Sequence, residues 1–204
     1  MVIVKADLGF TWNELKSLKR IMAEEWGLNQ DKNGDLGAWM YAFWVAKSAH
    51  ITYVLYKYDV VVGLGALTVC GKKHHFLWLF LYYFTKFFLL RNKRSYNEYC
   101  NAYDKANECW KVDYDTEGDI IIVDKKYRGE GYGKLLMESL ISVSKLYGNR
   151  MKIETYNDCA WKFHERYGAK RVFEKEVDGE VDSNSGEREV LFGYVINHNK
   201  ECAV

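Results

Sequence analysis

The sequence predicts an α/β (α+β) chain, and three observations predict it. Two capping boxes, Thr11-Trp-Asn-Glu14 and Ser95-Tyr-Asn-Glu98, mark helix starts, because hydroxyl and carboxylate each satisfy an orphan N–H. Runs of β-branched and aromatic residues, ITYVLYKY from Ile51 and VVVGLGALTV from Val60, read as strands. From Gly118 onward the two kinds of pattern alternate in the order β-α-β-α-β-β. With 49% hydrophobic and 28% charged residues in 204, the chain can bury a core and is too apolar for disorder.

Composition also limits function. A formal net charge of +1 argues against a dedicated nucleic-acid binder, which would show a basic excess. The five cysteines are odd in number and show no zinc spacing. Adjacent His74 and His75 are poor joint ligands, so no metal is expected. The N-terminal apolar run is too short for a signal peptide, and reduced thiols suit a cytoplasmic protein.

The elements follow in order. Val2–Val4 suggests a short strand. The helix capped by Thr11 should run to about Trp26, with Leu15, Leu18 and Met22 inward. Asn29 to Gly37 has loop composition, and Trp39 to Lys47 reads as a helix. Two strands follow, turning at Asp59. Phe76 to Leu90 is almost wholly apolar. A membrane-spanning helix needs about 20 apolar residues. This run is shorter, contains Thr85 and Lys86, and has basic residues at both ends. A buried helix or a lid over a substrate site is expected, with a membrane-surface helix or a dimer face as the alternatives, and no span. Tyr96, Tyr99, Tyr103, Ala106 and Trp110 then recur at helical spacing, an aromatic stripe that should pack on the body of the domain. GDIIIVD from Gly118 is a buried strand. Gly133 to Tyr147 is a helix with Leu135, Leu136, Leu140, Val143 and Leu146 inward, ended by Gly148-Asn149. MKIETY from Met151 is a strand, and Asp158 to Tyr167 a short helix. Strands from Ala169 and from Arg188 close the chain.

The most informative stretch is KKYRGEGYGKLL, from Lys125. Its glycines look like backbone bared for a phosphate. The dinucleotide pattern G-x-G-x-x-G fails, because Lys134 stands where the last glycine belongs. The P-loop also fails, because Arg128 and Leu135 occupy its glycine and Ser/Thr positions. What remains is R-G-x-G-x-G between a strand and a helix, which resembles the acyl-CoA loop of the GNAT N-acetyltransferase superfamily. Asn157, Ala160, Phe163 and Gly168 match the family's N-x-x-A-x-x-F-Y-x-x-x-G-F segment. His164 replaces its tyrosine and Ala169 its final aromatic. The resemblance is specific from about Glu117 to Val195.

The resemblance implies one domain over 1–204, with a central mixed, mostly antiparallel sheet of six to seven strands flanked by helices. A helical insertion at about 72–112 would separate the third and fourth strands. It implies an acyltransferase moving acetyl from acetyl-CoA to a primary amine, small or peptide-borne, by direct attack in a ternary complex. The loop Arg128, Gly129, Glu130, Gly131, Tyr132, Gly133 and Lys134 would hold the pyrophosphate at a helix N-terminus. Backbone groups around Ile121, Ile122 and Val123 would meet the pantetheine arm and the thioester carbonyl. Asn157 and Phe163 would complete the cofactor site.

For the base, Glu117 and Asp119 are candidates, expected by strand alternation to face the same side as Ile121 and Val123. For protonation of the leaving thiolate, His164 is the candidate by position, with an imidazole titrating near neutrality, and Tyr167, Tyr156 or no acid at all the alternatives. Cys159 is read as a structural thiol. A non-catalytic acyl-CoA-binding module is the alternative function. The sequence leaves the acceptor open, and likewise a homodimer.

Overall fold

The computed structural model describes residues 2–28, 34–92, 101–102, 104–157, 159–181 and 188–198. The elements are β1 (Val2–Asp7), α1 (Trp12–Glu25), α2 (Gly34–Ser48), β2 (Ile51–Lys57), β3 (Val60–Val69), α3 (Phe76–Asn92), β4 (Thr116–Val123), α4 (Tyr132–Ser144), β5 (Arg150–Tyr156), α5 (Trp161–Glu165), β6 (Lys170–Val181) and β7 (Arg188–Asn197). The seven strands form one sheet in the order β1-β2-β3-β4-β5-β7-β6. Every neighbouring pair is antiparallel except β4 and β5. The insertion between the third and fourth strands carries α3.

Each face of the sheet is covered by helices. On one face Leu15, Leu18 and Met22 of α1 and Phe43 and Ala46 of α2 pack on Leu64, Ala66 and Ile122. On the other, Met137 and Leu140 of α4 pack on Leu67, Met151, Ile153 and Tyr194. Fully burying side chains of this size stabilises by about 1.5–3 kcal/mol each, so these two layers fix the sheet between its helices. The Thr11 box forms as expected: the Thr11 N–H donates to Glu14 Oε2 at 2.8 Å, and the Glu14 N–H to Thr11 Oγ1 at 3.4 Å. The second box, at Ser95–Glu98, lies outside the described residues, as do Tyr96, Tyr99 and Tyr103 of the aromatic stripe.

Several expected boundaries move, each for a physical reason. Helix α2 begins at Gly34 and not near Trp39, because Gly37 and Ala38 are buried packing positions and Asp35 pairs with Lys19 of α1. Strand β4 begins at Thr116, two residues before Gly118, so Glu117 is a ladder residue. Helix α4 ends at Ser144, and Leu146 beyond it is exposed. The inward stripe of α4 is Tyr132, Leu136, Met137, Leu140 and Ser144, which leaves Leu135 at the surface. Trp110 leaves the helical pattern and stacks on Phe173, with ring centroids 5.7 Å apart. A Cβ on Gly193 would come within 2.7 Å of that indole, so glycine is required there.

Candidate active site

The site forms where the sheet comes apart. Strands β4 and β5 pair only from Thr116 to Gly118 against Met151 to Ile153, and β5 then continues along β7. The remainder of β4 has β3 on one side and an opening on the other. The Asp124 N–H donates to the Val62 carbonyl of β3 at 2.9 Å. Strand alternation turns the backbone groups of Ile122 the same way, and those of Ile121 and Val123 toward the opening. The sequence expectation treated Ile122 as one of the open positions; its backbone instead belongs to the β3 ladder. Arg128 Nε donates to the Val123 carbonyl across 3.2 Å, at the rim of the opening.

The glycine loop begins at the end of β4. The Asp124 carboxylate accepts from the Lys126 N–H at 3.0 Å and the Arg20 guanidinium at 2.9 Å. Burial pushes this carboxyl upward, but those two donors outweigh it and hold it below the usual range. Asp124 therefore ties the loop to α1, a positioning role that the sequence pattern at the end of β4 does not reveal. Gly129 and Gly131 have φ of +82° and +85°, the left-handed region that side chains resist. A Cβ on either would meet nothing within 4 Å, so the space above both backbones is open. Gly131 caps α4 with no side-chain hydrogen bond, which leaves the first N–H groups of that helix available to an anion.

The charged side chains of the loop have partners within the protein. Arg128 pairs with Glu25 at the end of α1. The Glu130 carboxylate accepts from Lys57 Nζ at 2.6 Å and the Tyr132 hydroxyl at 2.8 Å. Lys134 is exposed, 3.8 Å from Glu138. The loop therefore offers a phosphate mainly backbone.

Helix α5 stands beside the loop. The Phe163 ring lies 3.7 Å from where a Gly133 Cβ would sit, and packs on Tyr167 with centroids 5.0 Å apart. Cys159, Ala160, Lys162, Phe163 and Arg166 line an open depression of about 420 Å³. Asn157 has another task than the one inferred for it: its Oδ1 accepts from the Val190 N–H at 2.8 Å and its Nδ2 donates to the Arg188 carbonyl at 3.1 Å. It fastens the end of β5 to β7.

His164 also departs from expectation. Its ring lies between Phe163 and Tyr194, and its Nδ1 has no hydrogen-bond partner among the described residues. Burial pushes its pKa down to about 4. The side chain is a neutral imidazole at pH 7, not an acid poised near neutrality.

The carboxylates lie on the opposite face of β4 from α4. The β3–β4 register slips between Ala66↔Ile120 and Leu67↔Gly118, so Asp119 is the extra residue of a β-bulge. A Gly118 Cβ would point at Met151 Cε, 2.9 Å away, which belongs to the α4 layer. Glu117 and Asp119 therefore share the face of Ile120 and Ile122, under α1 and α2. Simple alternation had placed them with Ile121 and Val123, and the bulge overturns it.

Around these acids is a set of side chains absent from the sequence-derived candidates. Thr68 Oγ1 lies 2.8 Å from Asp119 Oδ2. Lys152 Nζ is 3.2 Å from Glu117 Oε1 and 2.6 Å from Glu154 Oε1, and sits over the rings of Trp110 and Tyr114. Burial and the charge of Glu117 push the Asp119 carboxyl well above the usual range, against the Thr68 hydrogen bond and the charge of Lys47. Burial pushes Glu154 up as well, and Tyr114 up to about 12. Burial also lowers Lys47, and Asp119 and Glu117 partly restore it. The signal in the sequence is MKIETY, in which Lys152 and Glu154 sit two apart on one strand and so share a face.

A strand pair that parts beside a glycine turn and a helix N-terminus defines a GNAT-type α/β fold. Residues 99–169 match the family model described as Acetyltransferase (GNAT) family. This chain is similar over 97% of its length to all of PH1933 from Pyrococcus horikoshii OT3, at 14% identity and a TM-score of 0.62. It is similar over its full length to 99% of the ribosomal-protein-S18-alanine N-acetyltransferase of Escherichia coli, at 12% identity and TM-score 0.53. Over 99% of its length it is also similar to 96% of yncA from Salmonella typhimurium, solved with acetyl-CoA, at 12% identity and TM-score 0.55. No curated protein sequence matches the chain. The chain has the fold of these GNAT structures, and its residues 99–169 match the model of the GNAT acetyltransferase family.

Proposed function

We propose that the protein transfers acetyl from acetyl-CoA to a primary amine by direct attack. The observation that carries this reading is the juxtaposition of two features. One is the opening beside β4, with the backbone groups of Ile121 and Val123 turned into it. The other is the bare-backbone turn at the N-terminus of α4. The acetyl-CoA of yncA lends support by analogy of fold.

In this reading, the N–H groups that open α4 hold the pyrophosphate, aided by the helix dipole. The Ile121 and Val123 backbone extends β4 toward the pantetheine amides, and an N–H there polarises the thioester carbonyl. Phe163 and the depression beside α5 offer room for the rest of the cofactor. On the other face, Asp119 takes the proton of the incoming amine, directly or through water. Its raised affinity for a proton suits a base. Lys152 keeps Glu117 and Glu154 paired and so holds the cluster together. The amine nitrogen bonds to the acetyl carbon, the carbon–sulfur bond breaks, and CoA leaves as thiolate. Tyr167, next to Phe163, is the better-placed donor to that sulfur, since His164 is neutral.

Incubation with acetyl-CoA and a panel of small and peptide amines tests this, with release of free thiol as readout. Amine-dependent release from at least one acceptor is expected. Tight CoA binding with no release on any amine would favour a binding module instead.

A further inference from the structure

Helix α3 is apolar on two sides, and only one of them is used by the fold. Trp78, Leu81 and Tyr82 pack into the α1–α2 layer, and Leu89 is buried with them on the inward side. The other side is a continuous stripe that includes Phe76, Phe80, Tyr83, Phe84, Phe87 and Phe88, each between 40% and 82% exposed. At 100° per residue these positions, with Leu77, fall within an arc of roughly 140°. Among the described side chains, Phe76 to Leu89, no charged one falls in this arc. Rings of Phe80, Phe84 and Phe88 follow one another at one-turn spacing, with centroids 6.2 Å and 4.8 Å apart. Single exposed apolar residues need no explanation, but a contiguous face along a 17-residue helix marks an interaction surface.

Charge identifies the partner. Between Asp59 and Glu98 the chain has no acidic residue and six basic ones: Lys72, Lys73, Lys86, Arg91, Lys93 and Arg94. The whole chain nets only +1, so its positive excess is concentrated in this stretch of sequence and the remainder is net negative. In the sequence, basic residues flank the stripe on both sides. Antiparallel pairing with a second copy would set Lys72 and Lys73 of one chain near the Arg91 end of the other, like charge against like. A partner with an apolar interior and an anionic skin fits both features. No helix among the described residues is long and apolar enough to cross a membrane. The inner side of α3 is also committed to the protein, so the helix lies flat.

We infer that α3 docks the protein on anionic lipid bilayers, with its phenylalanine face in the acyl–headgroup boundary and its basic flanks on the headgroups. Lys47 links the inward side of α3 to the carboxylate cluster, lying 5.7 Å from the Tyr82 ring and within the field of Asp119. The inference stands apart from the acyl-transfer reading.

Sedimentation of the full chain with vesicles tests it. The wild type should sediment with equimolar phosphatidylglycerol and phosphatidylcholine, remain in solution with phosphatidylcholine alone, and release as salt rises. The triple variant Phe80→Ser/Phe84→Ser/Phe87→Ser should lose about tenfold or more in partitioning, because each change removes about 2 kcal/mol of apolar burial or less. All three side chains are exposed, so its circular dichroism and thermal midpoint should match the wild type. Lys72→Glu/Lys73→Glu provides a second test without touching the stripe, and should also weaken binding. Failure of the wild type to sediment with anionic vesicles, or equal partitioning of all three proteins, overturns the inference. A dimer that the triple variant breaks, with no vesicle binding, assigns the face to a second copy and overturns it as well.

Discussion

The two sides of the β4 opening are built from different materials. The side toward α4 is backbone: positive-φ turns at Gly129 and Gly131, the uncapped start of α4, and the carbonyls and N–H groups of Ile121 and Val123. The side toward α1 and α2 is side chain: Thr68 from β3, Lys47 from α2, Glu117 and Asp119 from β4, Lys152 and Glu154 from β5. A backbone site must bare its backbone, so it leaves a run of glycines in one stretch of sequence. A side-chain site assembled from four elements leaves nothing contiguous. The first kind binds a general group, a phosphate or a thioester. The second sets protonation, and so rate.

If that division is right, the largest effect on turnover comes from the side-chain face. Asp119→Asn should lower kcat by about 10²–10⁴-fold, the usual worth of a general base, with CoA affinity unchanged. It should also raise stability near pH 7. The native Asp119 carboxyl binds its proton more tightly than the unfolded one, so the native state is destabilised relative to the unfolded as pH climbs from about 4 through the folded pKa. Removing that ionisation removes the loss. For the wild type the acid limb of kcat should rise with the ionisation of this group and flatten in Asp119→Asn. A variant that keeps its rate, or loses CoA affinity in step with rate, breaks the comparison. Stopped assays over pH and a thermal melt at two pH values supply both readouts.

The glycine face should give the converse. Gly131→Val meets no clash but cannot comfortably adopt φ of +85°. The strain costs about 1–3 kcal/mol and tilts the N–H groups at the start of α4. CoA affinity should fall about 30-fold or more, equivalent to about 2 kcal/mol, while the fold and the pH dependence of kcat remain. Isothermal titration with CoA measures it. Unchanged affinity would detach the loop from the cofactor altogether.

How much was legible follows the same division. The strand-turn-helix around the glycines could be read because φ, capping and phosphate geometry all act within a dozen residues. Which way Glu117 and Asp119 face could not, because one inserted residue at the β3–β4 register reverses the parity of everything before it. Alternation counted along β4 alone has no means of seeing a slip against Ala66 and Leu67. Lys152 and Glu154 share a face by simple spacing, yet their meeting with Glu117 depends on the short parallel pairing of β4 and β5. Asn157 shows the limit of carrying a role across by motif: the residue matches, but its amide is spent on Arg188 and Val190. Helix α2 is longer than its composition suggests for a related reason. Gly37 suggested a loop by composition, although a small residue is also what a buried helix face uses for close packing.

His164 gives the smallest effect and the sharpest test of where the two faces end. Its folded pKa of about 4 lies below the ordinary value of 6.5. Between those values the unfolded chain binds a proton that the native state refuses, so stability is full above about pH 6.5 and is lost as pH falls toward 4. A shift of that size corresponds to at most about 3 kcal/mol, and about 1–2 kcal/mol is a fairer expectation for a half-buried ring. His164→Phe keeps a ring against Phe163 and Tyr194 and cannot take up the proton. Its melting temperature should therefore hold between pH 6.5 and pH 5, where that of the wild type falls by a few degrees. Its kcat should stay within about threefold of wild type, since a neutral imidazole contributes little as an acid. A loss of 10²-fold or more in kcat, with stability unchanged across that range, would restore His164 to the chemistry and place an ionising side chain on the face assigned here to backbone.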